Sequence, residues 1–326
     1  MDALSDVLRV VGLAGGVFLE ARFTAPWSLA GQVGPESCAP YMTPPAFVMC
    51  FHFITEGKCI VKIDGEAPTV ARAGDAVLIP RNQPHRIGSD VTSPPANAAD
   101  LIRMPEGAGL PRIEHGGGGD VCTMVCGFLG GDAQLEPLVA TLPSALTLSV
   151  KDTPSGAWLE HSFRFAAREL ANGDPGAATI ISKMAELLFV EAVRRYLTSM
   201  PEDRTGFLAG LRDPAIGKAL SLLHAQVARD WTAEDLASAV HMSRSAFAEK
   251  FAALGGQPPI KYLTGWRMQL AAHKLREGKL SIAQIAFDTG YESEAAFTRA
   301  FKREIGVPPA TWRRQLNAGV SASASG

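Results

Sequence analysis

Little in this chain is extreme, and several familiar signals are missing. The 31 Lys and Arg nearly cancel 33 Asp and Glu, for a formal net charge of −2, so overall charge points to no class of partner. Five cysteines occur, Cys38, Cys50, Cys59, Cys122 and Cys126. None forms a Cys-x-x-Cys pair, which excludes a zinc ribbon and a thioredoxin-type motif. The start carries Asp2 and Asp6 with no basic run, so no signal peptide is expected. The most apolar stretch, in 177–197, is interrupted by Lys183, Glu186 and Glu191, so no membrane partner is expected either. Sparse, unpaired cysteines fit a reducing compartment, and the expected location is cytoplasmic.

What is present is a repeat. Phe247, Phe251, Gly256, Pro258, Pro259 and Tyr262 recur fifty residues later as Phe297, Phe301, Gly306, Pro308, Pro309 and Trp312. Leu236 and Ala237 recur as Ile285 and Ala286 after forty-nine, so the second copy has gained one residue in its turn. Two copies exclude a solenoid and fit a pair of docking modules. In the first copy Thr232 caps a short helix with acids in its first turn. Ser243 then caps a second helix with an apolar stripe at Phe247, Phe251 and Leu254. Glycines and Pro258-Pro259 stop it. In the second copy Ser281 and Gln284 form a capping box, Gly290 occupies the turn, and Ser293 caps a helix burying Phe297, Ala300, Phe301 and Ile305. Helix, tight turn and capped second helix make a helix-turn-helix.

From about Asp213 to Arg314 the chain resembles the DNA-binding domain of the AraC/XylS transcription regulators. The stretch Ile285–Arg303, followed by Gly306-Val307-Pro308-Pro309, carries the resemblance. It implies two helix-turn-helix units joined by a linking helix, Ile260 to Arg276, with recognition helices entering major grooves about 34 Å apart. His241 stands where the family commonly has glycine, so a positive φ is expected at a residue that tolerates it. Burial of the phenylalanines turns Ser245, Ala248 and Glu249, and Ala295 and Arg299, toward base edges. Arg299 suits guanine and Glu249 a cytosine amine. Ser243, Arg244, Ser293, Lys302, Arg303, Arg313 and Arg314 are the expected phosphate contacts. Charge agrees: 14 basic residues face 10 acidic ones from Asp213 onward, against 17 and 23 before it. So modest an excess predicts limited, salt-sensitive phosphate affinity.

The N-terminal part reads differently. Phe47–Phe53, Lys58–Ile63 and Ala76–Pro80 are short strands separated by Gly and Asp turns, which suggests a β-sandwich or barrel. Ala73–Pro80 with Pro84-His85 resembles the second half of a cupin motif, and Phe51–Gly57 a degenerate first half. Metal-binding cupins pair a His-x-His with a Glu and a later His. Here His52, Glu56 and His85 are the effector-pocket candidates, with Ile54 where a second His would stand. No metal and no cofactor is expected, nor enzymatic activity. Cys122 and Cys126 share a strand face about 13 Å apart, beyond the ~7 Å that a disulfide spans. The five cysteines read as small buried hydrophobes, or as thiol sensors.

Ala157–Leu170 and Ala177–Leu197 read as helices. The second is apolar around much of its circumference, which fits self-association. The expected fold is a multidomain α+β protein. Residues 1–150 form a cupin-like β-barrel sensor, 151–200 a helical dimerisation segment and 201–212 a linker. Residues 213–316 form an all-α tandem helix-turn-helix domain and 317–326 a disordered tail. The expected function is a homodimeric transcription regulator, an activator or a repressor, whose partners are promoter DNA, RNA polymerase and a small-molecule effector. A thiol-based redox regulator is the alternative, and a cupin metalloenzyme fused to a DNA-binding module the distant one.

Overall fold

A computed structural model describes residues 3–10, 13–34, 47–105, 110–131, 136–149, 176–201 and 204–315, with isolated positions at 38, 45, 161, 162, 165, 169 and 174. The chain folds as two compact units. One comprises Leu13–Ala133 and Leu142–Thr198; the other comprises Met1–Gly12, Gln134–Thr141 and Ser199–Gly326.

The first unit is the β-rich one. Its strands are β1 (Leu13–Thr24), β2 (Ser28–Gly31), β3 (Phe47–Glu56), β4 (Lys58–Ile63), β5 (Thr69–Arg72), β6 (Asp75–Ile79), β7 (His85–Gly88), β8 (Ala96–Asn97), β9 (Arg112–Gly116), β10 (Val121–Gly131) and β11 (Leu146–Ser149). They make two sheets in the orders β11-β6-β3-β10-β1-β9 and β5-β4-β7-β2-β8. Strand β3 is central and buried on both faces from Val48 to Ile54, which is why its sequence is a continuous apolar run rather than an alternation. β4 keeps the alternation, with Cys59, Val61 and Ile63 inward. Leu19, Phe23, Leu29, Ile54, Val61, Ile79, Ile87 and Met124 pack into one core fed by both sheets. The three expected strands are present. So is the strand carrying Cys122 and Cys126, and all five cysteines are buried thiols outside any disulfide.

A long helix, α4 (Ala177–Ser199), completes this unit. It buries Met184, Ala185, Leu188, Phe189, Ala192 and Val193, while Ile180 and Leu187 remain 43% and 46% exposed. Ser182 Oγ accepts a hydrogen bond from the Gly15 amide, and Arg195 donates to the Ser149 carbonyl at 2.6 Å. The expected helix over Ala157–Leu170 lies almost wholly outside the described residues. The tail 317–326 lies outside them entirely.

The second unit is helical: α1 (Ala3–Val10), α3 (Glu136–Ala140), α5 (Phe207–Arg212), α6 (Pro214–Ala225), α7 (Ala233–Ala239), α8 (Arg244–Gly255), α9 (Pro259–Glu277), α10 (Ile282–Asp288) and α11 (Glu294–Ile305). The remaining short helix, α2 (Ala98–Leu101), sits beside the cavity of the β-rich unit. Two departures from the sequence boundaries stand out. The stretch expected as a linker, 201–212, ends in α5, which buries Leu208, Ala209 and Gly210. Its apolar residues fix it to the helices instead of leaving it extended. And α1, expected with the barrel in 1–150, is part of the helical unit. Ala3 joins a core of Ile216, Leu220, Trp231, Leu236, Phe247 and Phe251, and Asp6 lies 3.8 Å from His224. Its apolar face of Ala3, Leu4, Val7 and Val10 defines an amphipathic helix without saying which surface it covers.

Candidate nucleic-acid interface and effector cavity

Each half of the helical unit has its own core. Phe247, Phe251, Leu236 and Leu263 close the first; Phe297, Phe301, Ile285, Met268 and Leu275 close the second. Helix α9 runs through both and holds the two as one frame. Local chemistry sets every start and stop. Thr232 and Asp235 make a reciprocal capping box on α7, as Ser281 and Gln284 do on α10. Ser243 Oγ accepts from the Ala246 amide at 3.3 Å and Ser293 Oγ from the Ala296 amide at 3.2 Å. Gly256 and Gly306 end α8 and α11 in left-handed geometry.

The turns differ as the sequence implies. His241 adopts φ 59° and Gly290 φ 80°. At Gly290 a Cβ would lie 2.8 Å from the Ala228 carbonyl oxygen and 2.6 Å from an Arg267 nitrogen, so glycine is required there for space as well as for torsion. His241 is exposed. Arg267 belongs to no sequence motif. It donates to the Val227 carbonyl at 2.9 Å and the Arg229 carbonyl at 2.8 Å, tying α9 to the loop that precedes α7.

On α8, Ser245 and Glu249 are exposed and Ala248 half-buried; on α11, Ala295 and Arg299 are exposed. Among the expected phosphate contacts, Arg244, Lys302, Arg303 and Arg314 are exposed. Arg303 pairs with Glu304 at 2.9 Å, and Arg314 approaches the Thr311 hydroxyl at 3.3 Å. Ser243 and Ser293 spend their hydroxyls as caps. Arg313 is half-buried and donates to the Leu280 carbonyl at 2.7 Å, so its guanidinium is bound to the fold.

The β-rich unit encloses a cavity of about 540 Å³. Leu19, Phe23, Leu29, Ile87, Ile113 and Met124 give it apolar walls; Cys50, His52, His85 and Cys126 form one polar cluster in it, and Gln32 and Asn97 line it elsewhere. Cys50 and His52 stand two apart on β3, hence on one face. Cys126 is paired with His52 across the β3–β10 ladder, and His85 comes from β7 in the other sheet. A hydrogen-bond chain links them. His52 Nδ1 is 3.0 Å from Cys126 Sγ, His52 Nε2 is 3.1 Å from His85 Nε2, and His85 Nδ1 is 2.9 Å from the Gln83 carbonyl. Since a carbonyl only accepts, His85 carries its proton on Nδ1, and its bare Nε2 accepts from His52 Nε2–H. His52 Nδ1 then accepts from the Cys126 thiol. Burial pushes His52 down to about 3 and lowers His85, so both rings are neutral near pH 7. Burial also pushes Cys50 up to about 12.

The sequence candidates therefore divide. His52 and His85 meet; Glu56 does not join them, being exposed on a different concavity beside Lys58, Arg72 and Asp120. Strand alternation could have supplied the missing neighbour, since Cys50 precedes His52 by two. Cys59 and Cys122 form a second thiol pair. The hydrogen bond between them holds the Cys59 thiol up and lowers Cys122. Cys38 packs apart, against Val48 and Phe128.

Residues 2–198 match the family described as Cupin, and residues 236–315 the family described as Helix-turn-helix domain. A putative AraC-like transcription regulator from Streptomyces lividans is 35% identical over 315 residues, covering 96% of this chain and 98% of that protein. The RCS-specific HTH-type transcriptional activator RclR of Escherichia coli is 27% identical over 317 residues, covering 97% of this chain and 98% of its own. The crystal structure of ToxT from Vibrio cholerae aligns over 94% of this chain and 98% of that chain, with a TM-score of 0.36 and 11% identity.

Proposed function

Since the chain belongs to the AraC-like transcription regulators, we propose that α8 and α11 read promoter DNA under the control of a small, mostly apolar effector held in the barrel cavity. The DNA reading rests on one observation: two separately cored helix-turn-helix units share α9, each with an exposed, capped second helix. In this proposal Ala295 and Arg299, with Ser245, Ala248 and Glu249, face base edges. Arg244, Lys302, Arg303 and Arg314 take phosphates, aided by the amides at the helix starts that Ser243 and Ser293 cap. Arg313 supports the frame instead. The effector reading rests on the cavity, whose mostly apolar walls and uncharged polar groups suit an uncharged, mostly apolar molecule. Its binding would favour one presentation of the reader over another. The half-exposed Ile180 and Leu187 of α4, one and the same face seven residues apart, are where a second copy would pack. A cytoplasmic site of action and contact with RNA polymerase complete the proposal.

DNase footprinting on the DNA upstream of its own gene tests this. Two protected half-sites in phase with the helical turn are expected, and Arg299→Ala should weaken specific binding while leaving non-specific binding in place. Protection lost equally on all sequences would contradict base reading by α11. A soluble ligand that shifts the footprint but fails on a Met124→Trp protein would place the effector in the cavity.

A second reading, thiol control, has the Cys59–Cys122 pair in its favour, and a relative whose name includes RCS-specific. It predicts that peroxide or hypochlorite alters the footprint and that Cys122→Ser abolishes the response.

A further inference from the structure

We propose that Cys50, His52 and His85 form a binding site for one zinc(II)-class cation, with the fourth coordination position open to the apolar cavity. Their ligand atoms lie within 4.8 Å of one another, the one such His, Cys, Asp or Glu cluster among the described residues. All three side chains are buried. Two imidazole nitrogens bound to one tetrahedral ion at about 2.0–2.1 Å stand about 3.3 Å apart; the two Nε2 atoms here stand 3.1 Å apart. The geometry thus needs only a small spreading of the two sheets' side chains to admit the ion.

The surroundings orient the ligands. The Gln83 carbonyl holds the His85 proton on Nδ1 and leaves Nε2 bare, the arrangement by which backbone carbonyls fix metal-binding histidines. On β2, a Cβ at Gly31 would come within 2.9 Å of His85 Nε2, so glycine leaves room for the ring to reach across the barrel. Cys126 Sγ lies on the Nδ1 side of His52, the side away from His85, and is not a ligand. On metal binding His52 changes tautomer: its proton moves from Nε2, which becomes a ligand, to Nδ1, which then donates a hydrogen bond to the sulfur of Cys126 while that thiol keeps its own proton. Counting all four groups, one proton leaves for solvent, that of the Cys50 thiol, and Cys50 binds as thiolate. The hydrogen-bond chain alone would account for His52, His85 and Cys126, but it gives Cys50 no part.

The donor set also chooses the metal. Glu56, the carboxylate that the cupin resemblance suggested, is elsewhere, and a thiolate replaces it. Two imidazoles and a thiolate favour zinc or copper over the hard, oxygen-seeking cations. Three protein ligands with an open side are the pattern of a site that accepts an exchangeable fourth ligand. Use of that position by an effector rests on the effector reading above; the metal site itself does not.

The test uses the full-length, reduced protein, stripped with chelator and dialysed. Zinc(II) is titrated against a chromophoric competitor, and cobalt(II) is followed by absorption. One equivalent is expected, with tetrahedral cobalt bands and a thiolate-to-cobalt charge-transfer band. Cys50→Ser should abolish that band, and His85→Ala should weaken zinc by at least ~100-fold, since even outer contacts to metal ligands are worth about 10–100-fold. Cys126→Ala and Cys59→Ser should retain the full equivalent. Circular dichroism checks that each variant folds; if His85→Ala does not, Cys50→Ser alone decides. No stoichiometric uptake, a cobalt spectrum without the thiolate band, or an unchanged spectrum in Cys50→Ser would each overturn the site. DNA binding is read separately, so failure of the metal site leaves the regulator reading standing.

Discussion

The two helix-turn-helix units share a plan and differ in what they leave to solvent. Their buried residues correspond nearly one for one: Phe247 with Phe297, Phe251 with Phe301, Leu236 with Ile285, Ala237 with Ala286. The exposed faces do not. α8 presents Ser245, Ala248 and Glu249, whereas α11 presents Ala295, Arg299, Lys302 and Arg303. The turns differ too, a solvent-facing His241 against an enclosed Gly290. Packing fixes the repeated positions because a core tolerates few volumes, while the outward positions are free to specialise. The second recognition helix carries three basic residues, Arg299, Lys302 and Arg303, against Arg244 and Lys250 on the first, and the second unit has the tighter turn.

The comparison can be broken at the core. Phe297→Ala should destabilise the helical unit by about 3–5 kcal/mol, and Phe247→Ala by a similar amount, both read as the loss of thermal stability. If the two units are equivalent frames around α9, the losses should match; a clear inequality would show that one core carries the other.

The turns come next. Gly290→Ala should cost about 2 kcal/mol or more, combining a positive φ with a collision at the Ala228 carbonyl. His241→Gly should change stability by less than about 1 kcal/mol, because the ring is exposed and its left-handed strain is relieved. Chemical denaturation of both variants measures the contrast, and equal effects would refute it.

The reading faces sharpen it further. Arg299→Ala should cost about 1–3 kcal/mol on its preferred sequence and relax the requirement for guanine at one position. Glu249→Ala should have a smaller effect confined to the other half-site, which quantitative footprinting on single-base variants would separate.

The last test uses pH. His224, in the first unit, has Nε2 2.8 Å from the Tyr262 hydroxyl, stacks 4.0 Å from Trp266, and has the Asp6 carboxylate 3.8 Å from Nδ1. Burial pushes it down to about 3. Its native value lies below the unfolded value of about 6.5, so the unfolded chain binds the proton first. The contribution is whole above pH 6.5 and is lost as pH falls from there toward 3, by at most about 1.4 kcal/mol per unit. His224→Gln should therefore flatten the acid side of the stability profile. A profile that does not change would remove His224 as the cause.

Much of this was legible before folding. The helix starts and stops of both units follow from Thr232, Ser243, Ser281 and Ser293 and from the glycine–proline stops, all local chemistry. Positive φ at His241 followed from its place in the repeat. The strands β3, β4 and β6 followed from apolar runs bounded by glycine and aspartate. The cavity was half legible: His52 and His85 were paired, but with Glu56 rather than Cys50. Spacing along the chain suggested that carboxylate, whereas the face of β3 decides the company His52 keeps. Arg313 reads as a phosphate contact by position, and the fold adds a bond that the sequence does not show, from its guanidinium to the Leu280 carbonyl.

What the sequence determined by itself is whatever depends on neighbours within a few residues: caps, turns, periodicity and the duplicated core. What only the tertiary structure decided is which surface each apolar face covers. Helix α1 carries its stripe into the reader rather than the barrel, and 207–212 coils into the same core instead of linking. Hydrophobic burial is non-directional, so a stripe specifies that a partner must exist and leaves its identity to the assembled fold. The same holds for Cys50, His52 and His85, which only the packing of two sheets brings to one point.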